Sequence, residues 1–140
     1  MSVIDTSTDL GARAAGRLAE EPVAWLVTVD PHGTPQPTPV WFVRTGDGLV
    51  VASQPATAKL RNVRANPRVA LHLNSTRTGD DVIVLVGAAA IDDAGLTEAE
   101  RDAYDAKYSE PMRGIGMTPA QFHEEYSVIL RIAPEKLRGF

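Results

Sequence analysis

The sequence contains no cysteine, which excludes a disulfide scaffold, a thiolate metal site and a cysteine nucleophile. Long apolar runs are missing too. The longest, Val82 to Ile91, is enclosed by Asp80–Asp81 and Asp92–Asp93. It falls well short of the roughly 20 residues that cross a bilayer, so no transmembrane helix and no membrane partner are expected. The N-terminal segment MSVIDTSTDL has neither a basic region nor an apolar one of the secretory kind, and the expectation is cytoplasmic residence. The usual active-site signatures are absent as well: there is no HExxH, GxSxG, Walker loop or GxGxxG. His32, His72 and His123 do not stand at a metal-ligand spacing, so no metal is expected. The paired acids (Glu20–Glu21, Asp80–Asp81, Asp92–Asp93, Glu124–Glu125) fall at element ends, where solvated charge belongs. If the chain is an enzyme, a bound cofactor has to supply the reactive atoms. No residue of the sequence declares itself catalytic.

What is present reads as one domain over residues 1–140. Domains most often hold about 100–150 residues, and 44% hydrophobic with 23% charged residues is a globular composition. The net charge of −4 makes a poor nucleic-acid binder. The charge is unevenly placed, however. Between Asp47 and Asp80 there is no acid at all, while Lys59, Arg61, Arg64, Arg68 and Arg77 all lie there. Such a block is either a site for a small anion such as a phosphate or a solvated basic helix face.

The expected elements follow from pattern and punctuation. A helix spans 10–20 behind Thr8 or Asp9 and stops before Pro22. VAWLVTV, 23–29, is a buried strand, Asp30-Pro31-His32-Gly33 a turn, and 34–44 a second strand closing a hairpin. Pro35, Pro37 and Pro39 remove donors from one edge of that strand, so its other edge pairs with the first strand and the proline edge is free. Strand 49–53 leads through Pro55 into a helix over 57–66. Strands at 69–73 and 82–91 follow, then helices at 97–108 and 118–125 with capping-box patterns, and a last strand at 126–132. The order α-β-β-β-α-β-β-α-α-β with hairpin-length turns predicts a mainly β (α+β) fold: a six-stranded antiparallel barrel with peripheral helices.

The stretch SQPATAKLRNVRANPRV, from Ser53 to Val69, carries the chemistry. A helix N-terminus offers free N–H groups to a phosphate, Lys59 adds a point charge, and Ser53 and Thr57 add hydroxyls. Arg61 and Asn62 are placed opposite Leu60 and Val63 and so are expected to reach outward to a ligand or partner chain. Of Trp41 and Phe42, adjacent in a strand, only one can face a ligand.

Residues Trp25 to Gly33 with Pro35-Gln36, then Pro39-Val40-Trp41-Phe42, then Lys59-Leu60-Arg61-Asn62-Val63-Arg64-Ala65-Asn66-Pro67-Arg68-Val69 resemble the pyridoxamine-phosphate-oxidase-like split-barrel flavoproteins. The branch most similar uses the 8-hydroxy-5-deazaflavin coenzyme F420. The resemblance implies a six-stranded split barrel and a homodimer with a cofactor groove at the subunit interface. It implies a phosphate site at Ser53, Thr57 and Lys59, and a ring lying along Thr38, Pro39, Val40 and Trp41. Arg61, Asn62 and Arg64 complete the expected cofactor-binding set. The implied activity is hydride transfer from reduced F420 to a small-molecule acceptor. The alternatives are an FMN oxidoreductase of the same fold or a cofactor carrier without turnover. The oxidases' Arg-x-Val-Leu-Leu-Lys strand is replaced here by Pro39-Val40-Trp41-Phe42.

Overall fold

A computed structural model describes residues 2–140. The elements in chain order are α1 (Asp9–Glu20), β1 (Ala24–Val29), β2 (Pro35–Val40), β3 (Val43–Thr45), β4 (Gly48–Ser53), α2 (Ala58–Ala65), β5 (Arg68–His72), β6 (Ile83–Asp92), α3 (Glu98–Gly114), α4 (Pro119–Glu125) and β7 (Val128–Gly139). All strand pairs are antiparallel, in the order β2-β1-β5-β6-β7-β4-β3. The described residues form seven strands rather than the expected six. The expected strand 34–44 divides at Trp41-Phe42 into β2 and β3, and the reason is topological. β2 and β3 are the two outermost strands of the sheet, yet only two residues join them. Three Cα steps reach at most about 11 Å, so the sheet must roll up until its edges nearly meet. The result is a split barrel, closed at the seam by the covalent chain and not by a ladder.

β2 lies at the sheet edge and pairs only with β1. The free proline edge is therefore observed, and it protects the open side from further strand addition. Two other elements outrun their expected ends. α3 continues through Pro111 to Gly114, and β7 continues to Gly139 against the whole length of β6. Within that long pair the register shifts at Val86/Gly87. A Cβ at Gly87 would stand 2.1 Å from the Ala133 carbonyl oxygen, so only glycine allows the strands to approach there.

Alternation divides the apolar residues between two cores. Leu26, Leu71, Leu85, Leu49, Val51 and Leu130 fill the barrel with Leu18 of α1 and Leu60 of α2. Val50, Ala52 and Ile129 point outward and pack under Tyr104, Tyr108 and Met112 of α3 and Phe122 of α4. β4 is thus covered on both faces. α3 also serves the seam. The Tyr104 hydroxyl donates to the Trp41 carbonyl (2.8 Å) and accepts from the Ala52 N–H (2.9 Å). The Tyr108 hydroxyl accepts from the Phe42 N–H (2.8 Å) and reaches the Pro22 carbonyl (2.8 Å). Lys107 donates to the carbonyls of Leu18 (3.2 Å) and Phe42 (3.1 Å). Side chains of α3 thus pair backbone groups of Trp41 and Phe42, and Tyr104 bridges Trp41 to Ala52 where the β3–β4 register would otherwise continue, because buried backbone groups left unpaired are costly.

Candidate functional site

A cleft of about 290 Å³ opens beside the seam. One wall is the chain from Pro39 through Trp41, where the free edge of the sheet turns toward β3. A second is the end of β4 and the start of α2, with Ser53, Gln54, Thr57 and Lys59. The third comes from α3 and α4, with Ile115, Phe122 and Tyr126.

The α2 side is built to receive negative charge. Thr8, Thr97 and Thr118 each cap their helix by accepting from a backbone N–H of its first turn. Thr57 occupies the same position on α2 but makes no such bond. Its hydroxyl lies instead 3.3 Å from that of Ser53, which donates to the Gln54 carbonyl at 2.8 Å. The first N–H groups of α2 therefore have no side-chain acceptor, at the positive end of the helix dipole. Lys59 stands in that turn, half-buried. Burial pushes its ammonium below the usual lysine pKa, and among the described residues no carboxylate lies within salt-bridge distance of it. The turn leading in is strained: Ala56 has φ 62°, the left-handed region that costs a non-glycine residue about 1–2 kcal/mol.

The opposite side is apolar and flat. Trp41 stacks on Tyr108 (centroids 4.8 Å apart, planes at 7°) and on Phe122 (5.5 Å, 25°). Tyr126 stacks on Phe122 at 4.5 Å. Phe42 is fully buried in the barrel core, so Trp41 is the member of that pair that faces the cleft. α4 is fixed from two directions, by His123 bonded to Asp105 of α3 (2.6 Å) and by Gln54 donating to Glu125 (2.8 Å).

Of the residues expected from the sequence, Pro39, Val40, Trp41, Ser53, Thr57 and Lys59 come together in the cleft. Thr38, Arg61, Asn62 and Arg64 are not among its lining. The outward placement expected for Asn62 is incorrect: it is buried and donates to Thr28 Oγ1 at 3.0 Å, tying α2 to β1. The Leu60/Val63 face is wide enough to include position 62, because an eight-residue helix wedged against a barrel buries more than a narrow stripe. Arg61 is exposed and donates to the Ala56 carbonyl at 2.8 Å, bracing the strained turn. Arg64 is exposed at the far end of α2. Ile115, Phe122 and Tyr126 were not expected at the site. The i, i+4 aromatic pairs Tyr104/Tyr108 and Phe122/Tyr126 were the signal that α3 and α4 present an aromatic face to something.

A family model described as "Pyridoxamine 5'-phosphate oxidase" matches residues 10–140. The chain belongs to the pyridoxamine 5'-phosphate oxidase family. Solved structures with the same fold include the conserved hypothetical protein Rv2991 from Mycobacterium tuberculosis (TM-score 0.71, 21% identity, covering 91% of this chain and 81% of that one). An F420 reductase matches with TM-score 0.65 and 27% identity over 86% of this chain and 93% of its own. HutZ, the heme storage protein from Vibrio cholerae, matches with TM-score 0.70 and 19% identity over 94% and 95%. Comparison with curated protein sequences gives no match. Membership of this family is consistent with an oxidoreductase or a cofactor-binding role. Among the described residues no helix is long and apolar enough to cross a membrane.

Proposed function

We propose that the cleft binds the deazaflavin coenzyme F420 and that the protein is an F420-dependent oxidoreductase acting on a small-molecule acceptor. The observation that carries this reading is Lys59: a half-buried cation with no carboxylate partner among the described residues, beside uncapped helix N–H groups and two hydroxyls. That donor set fits a phosphate. The neighbouring wall of backbone at Pro39–Trp41 and the aromatic surface of Trp41 fit a flat tricyclic ring. The 27% identity to an F420 reductase supports the deazaflavin over other cofactors.

In this reading Lys59, Ser53 and Thr57 hold the phosphate. Thr38 to Trp41 orient the ring, while Asn62 fixes α2 at the correct height on β1. Arg61 and Arg64 remain on the exposed side of α2, where they attract the carboxylates of a trailing tail. When bound in its reduced form, the coenzyme supplies a hydride to an electron-poor double bond. The chain contributes orientation and water exclusion, which together are worth up to about 7–11 kcal/mol of barrier. Phe122, Tyr126 and Ile115 exclude water from the acceptor side.

The cleft is small for such a ligand, since sites for whole cofactors commonly span roughly 300–1,000 Å³. A second copy of the chain supplies the missing wall. The outward face of β1, β5 and β6 suits it. The register lines up Trp25, His72 and Val84 in one row and Val27, Ala70 and Val86 in the next, all half-buried in the single chain. Light scattering is expected to give twice the 15.0 kDa chain mass; a monomer would remove the shared groove. The cofactor reading itself is tested by replacing Lys59 with alanine. The folded variant should lose about 1.5–3 kcal/mol of cofactor affinity, the value of a hydrogen bond to a charged group. Unchanged affinity would reduce Lys59 to a surface charge.

A further inference from the structure

Trp41 and Phe42 share one peptide unit at the break between β2 and β3. A trans peptide points its C=O and N–H in opposite directions, and α3 holds both ends. The Tyr104 hydroxyl donates to the Trp41 carbonyl at 2.8 Å, and the Phe42 N–H donates to the Tyr108 hydroxyl at 2.8 Å. The two tyrosines are four residues apart, so they stand on one face of the helix, a turn from each other. Both are buried, and burial pushes both phenols above the ordinary tyrosine range. Each therefore keeps its proton and can donate.

Their remaining partners differ. The Tyr108 hydroxyl reaches the carbonyls of Pro22 (2.8 Å) and Phe42 (3.0 Å), and neither residue lines the cleft. The Tyr104 hydroxyl accepts from the Ala52 N–H at 2.9 Å. Trp41 and Ala52 both line the cleft, on different walls. Trp41 ends the wall built from the free edge of the sheet. Ala52 precedes Ser53 on the wall that carries Lys59. The β3–β4 register ends at Val43↔Val50, and continued by two residues it would set Trp41 opposite Ala52. A direct N–H···O bond there would span about 2.9 Å. The inserted phenol oxygen holds the two groups up to about twice as far apart, so one atom of α3 fixes the gap between the walls.

We propose that Tyr104 is a positioning residue for the cofactor: its hydroxyl sets the distance from the ring wall to the phosphate wall, so that a ligand carrying both groups engages both at once. This rests on the cofactor reading above. Tyr104 is fully buried and does not line the cleft; it acts through the two backbone groups it joins. Without its oxygen, Trp41 is still oriented by Tyr108, which keeps the Phe42 N–H and the stacked ring. The donors of α2 stay as they are. What is lost is the fixed spacing between the two sets of groups.

Tyr104→Phe keeps the ring and removes only the oxygen. Three probes are titrated into the ligand-free protein: F420, its deazaflavin riboside without the phosphate, and inorganic phosphate. The two fragments should bind wild type and variant equally well. F420 should bind the variant about tenfold more weakly, a part of the 10²–10⁴ that joining two binding groups can contribute. A residue that serves stability alone would leave all three affinities unchanged in the folded variant, and a collapsed cleft would weaken all three. Either result would overturn the proposal. Tyr108→Phe leaves the Trp41–Ala52 bridge in place, and it should weaken the riboside and F420 alike without affecting phosphate. A loss confined to F420 in that variant would move the spacing role to Tyr108 and overturn the assignment to Tyr104.

Amide resonances give a readout independent of F420. In the wild type, inorganic phosphate should shift both Ala52 and Phe42. In Tyr104→Phe the Ala52 shift should remain and the Phe42 shift should vanish. Equal Phe42 shifts in the two proteins, or none in the wild type, would overturn the proposal. A wild type that binds phosphate but not F420 would refute the proposed function, and the Phe42 amide would still decide the role of Tyr104.

Discussion

The side-chain amide of Asn62 donates to the hydroxyl of Thr28 across 3.0 Å, with both residues buried. This bond sets α2 on β1, and α2 presents Lys59 to the cleft. Asn62→Ala leaves the Thr28 hydroxyl unpartnered and is expected to destabilise the fold by about 1–3 kcal/mol. The added change Thr28→Val should recover part of that loss, because the orphan is then gone. Chemical denaturation of the two single variants and the double variant measures the coupling; strict additivity would show that the bond carries no weight.

The seam gives a second prediction. Tyr104→Phe strips partners from the Trp41 carbonyl and the Ala52 N–H, both at the split of the barrel. A loss of about 1–3 kcal/mol is expected. Amide exchange at Ala52, whose N–H is turned to Tyr104, should accelerate well beyond that at Val51, whose N–H alternates to the β7 side. Equal acceleration at both positions would indicate a general loosening instead.

Lys107 makes stability depend on alkaline pH. Burial lowers its pKa from 10.5 to about 8, with Glu21 opposing the shift. Below about 8 both the folded and unfolded chains carry the proton. Between about 8 and 10.5 the unfolded chain binds more protons, so this group makes folding more favourable as pH rises. Urea midpoints across that window should rise less steeply for Lys107→Met than for the wild type. Parallel slopes would show that the buried ammonium is not what responds.

Glu100 acts at the acid end. Arg131 bonds both its carboxylate oxygens (2.6 and 2.7 Å) and lowers its pKa from 4.5 to about 2. The stabilisation is fully present above 4.5 and is lost as pH falls toward 2. Glu100→Gln should flatten the acid-denaturation curve in that window and cost about 1.5–3 kcal/mol at neutral pH. An unaltered acid curve would place the titration elsewhere.

The hairpin, the antiparallel order and the helix start at Lys59 were legible because each has a local cause: turn residues, alternation, and an acid-free block behind Pro55. The break at Trp41-Phe42 was not legible. Locally those residues suit a strand, and only the curvature of the whole sheet forces the chain to change edges there. β7 beyond Ile132 was hidden because Pro134, Glu135 and Lys136 break the apolar pattern of the strand, although β6 pairs with Pro134 and Lys136 across the register shift. α3 beyond Tyr108 was hidden by Pro111, which the helix accommodates. In the cleft, the polar wall is one contiguous segment and could be read. The aromatic wall comes from residues some 60 positions away in the chain, and no local pattern says which surface they cover. Asn62 was misplaced because a helix wheel alone does not reveal that Thr28 waits on the neighbouring strand.

The most direct test of the central claim is calorimetric titration of the purified protein with F420 and with FMN in parallel, at low and at high salt. The account predicts tighter binding of F420, with its advantage shrinking as salt rises. The exposed guanidiniums of Arg61 and Arg64 attract the extra carboxylates of the tail only within a Debye length of about 8 Å at physiological ionic strength. FMN binding as tightly as F420, or more tightly, at low salt would contradict it.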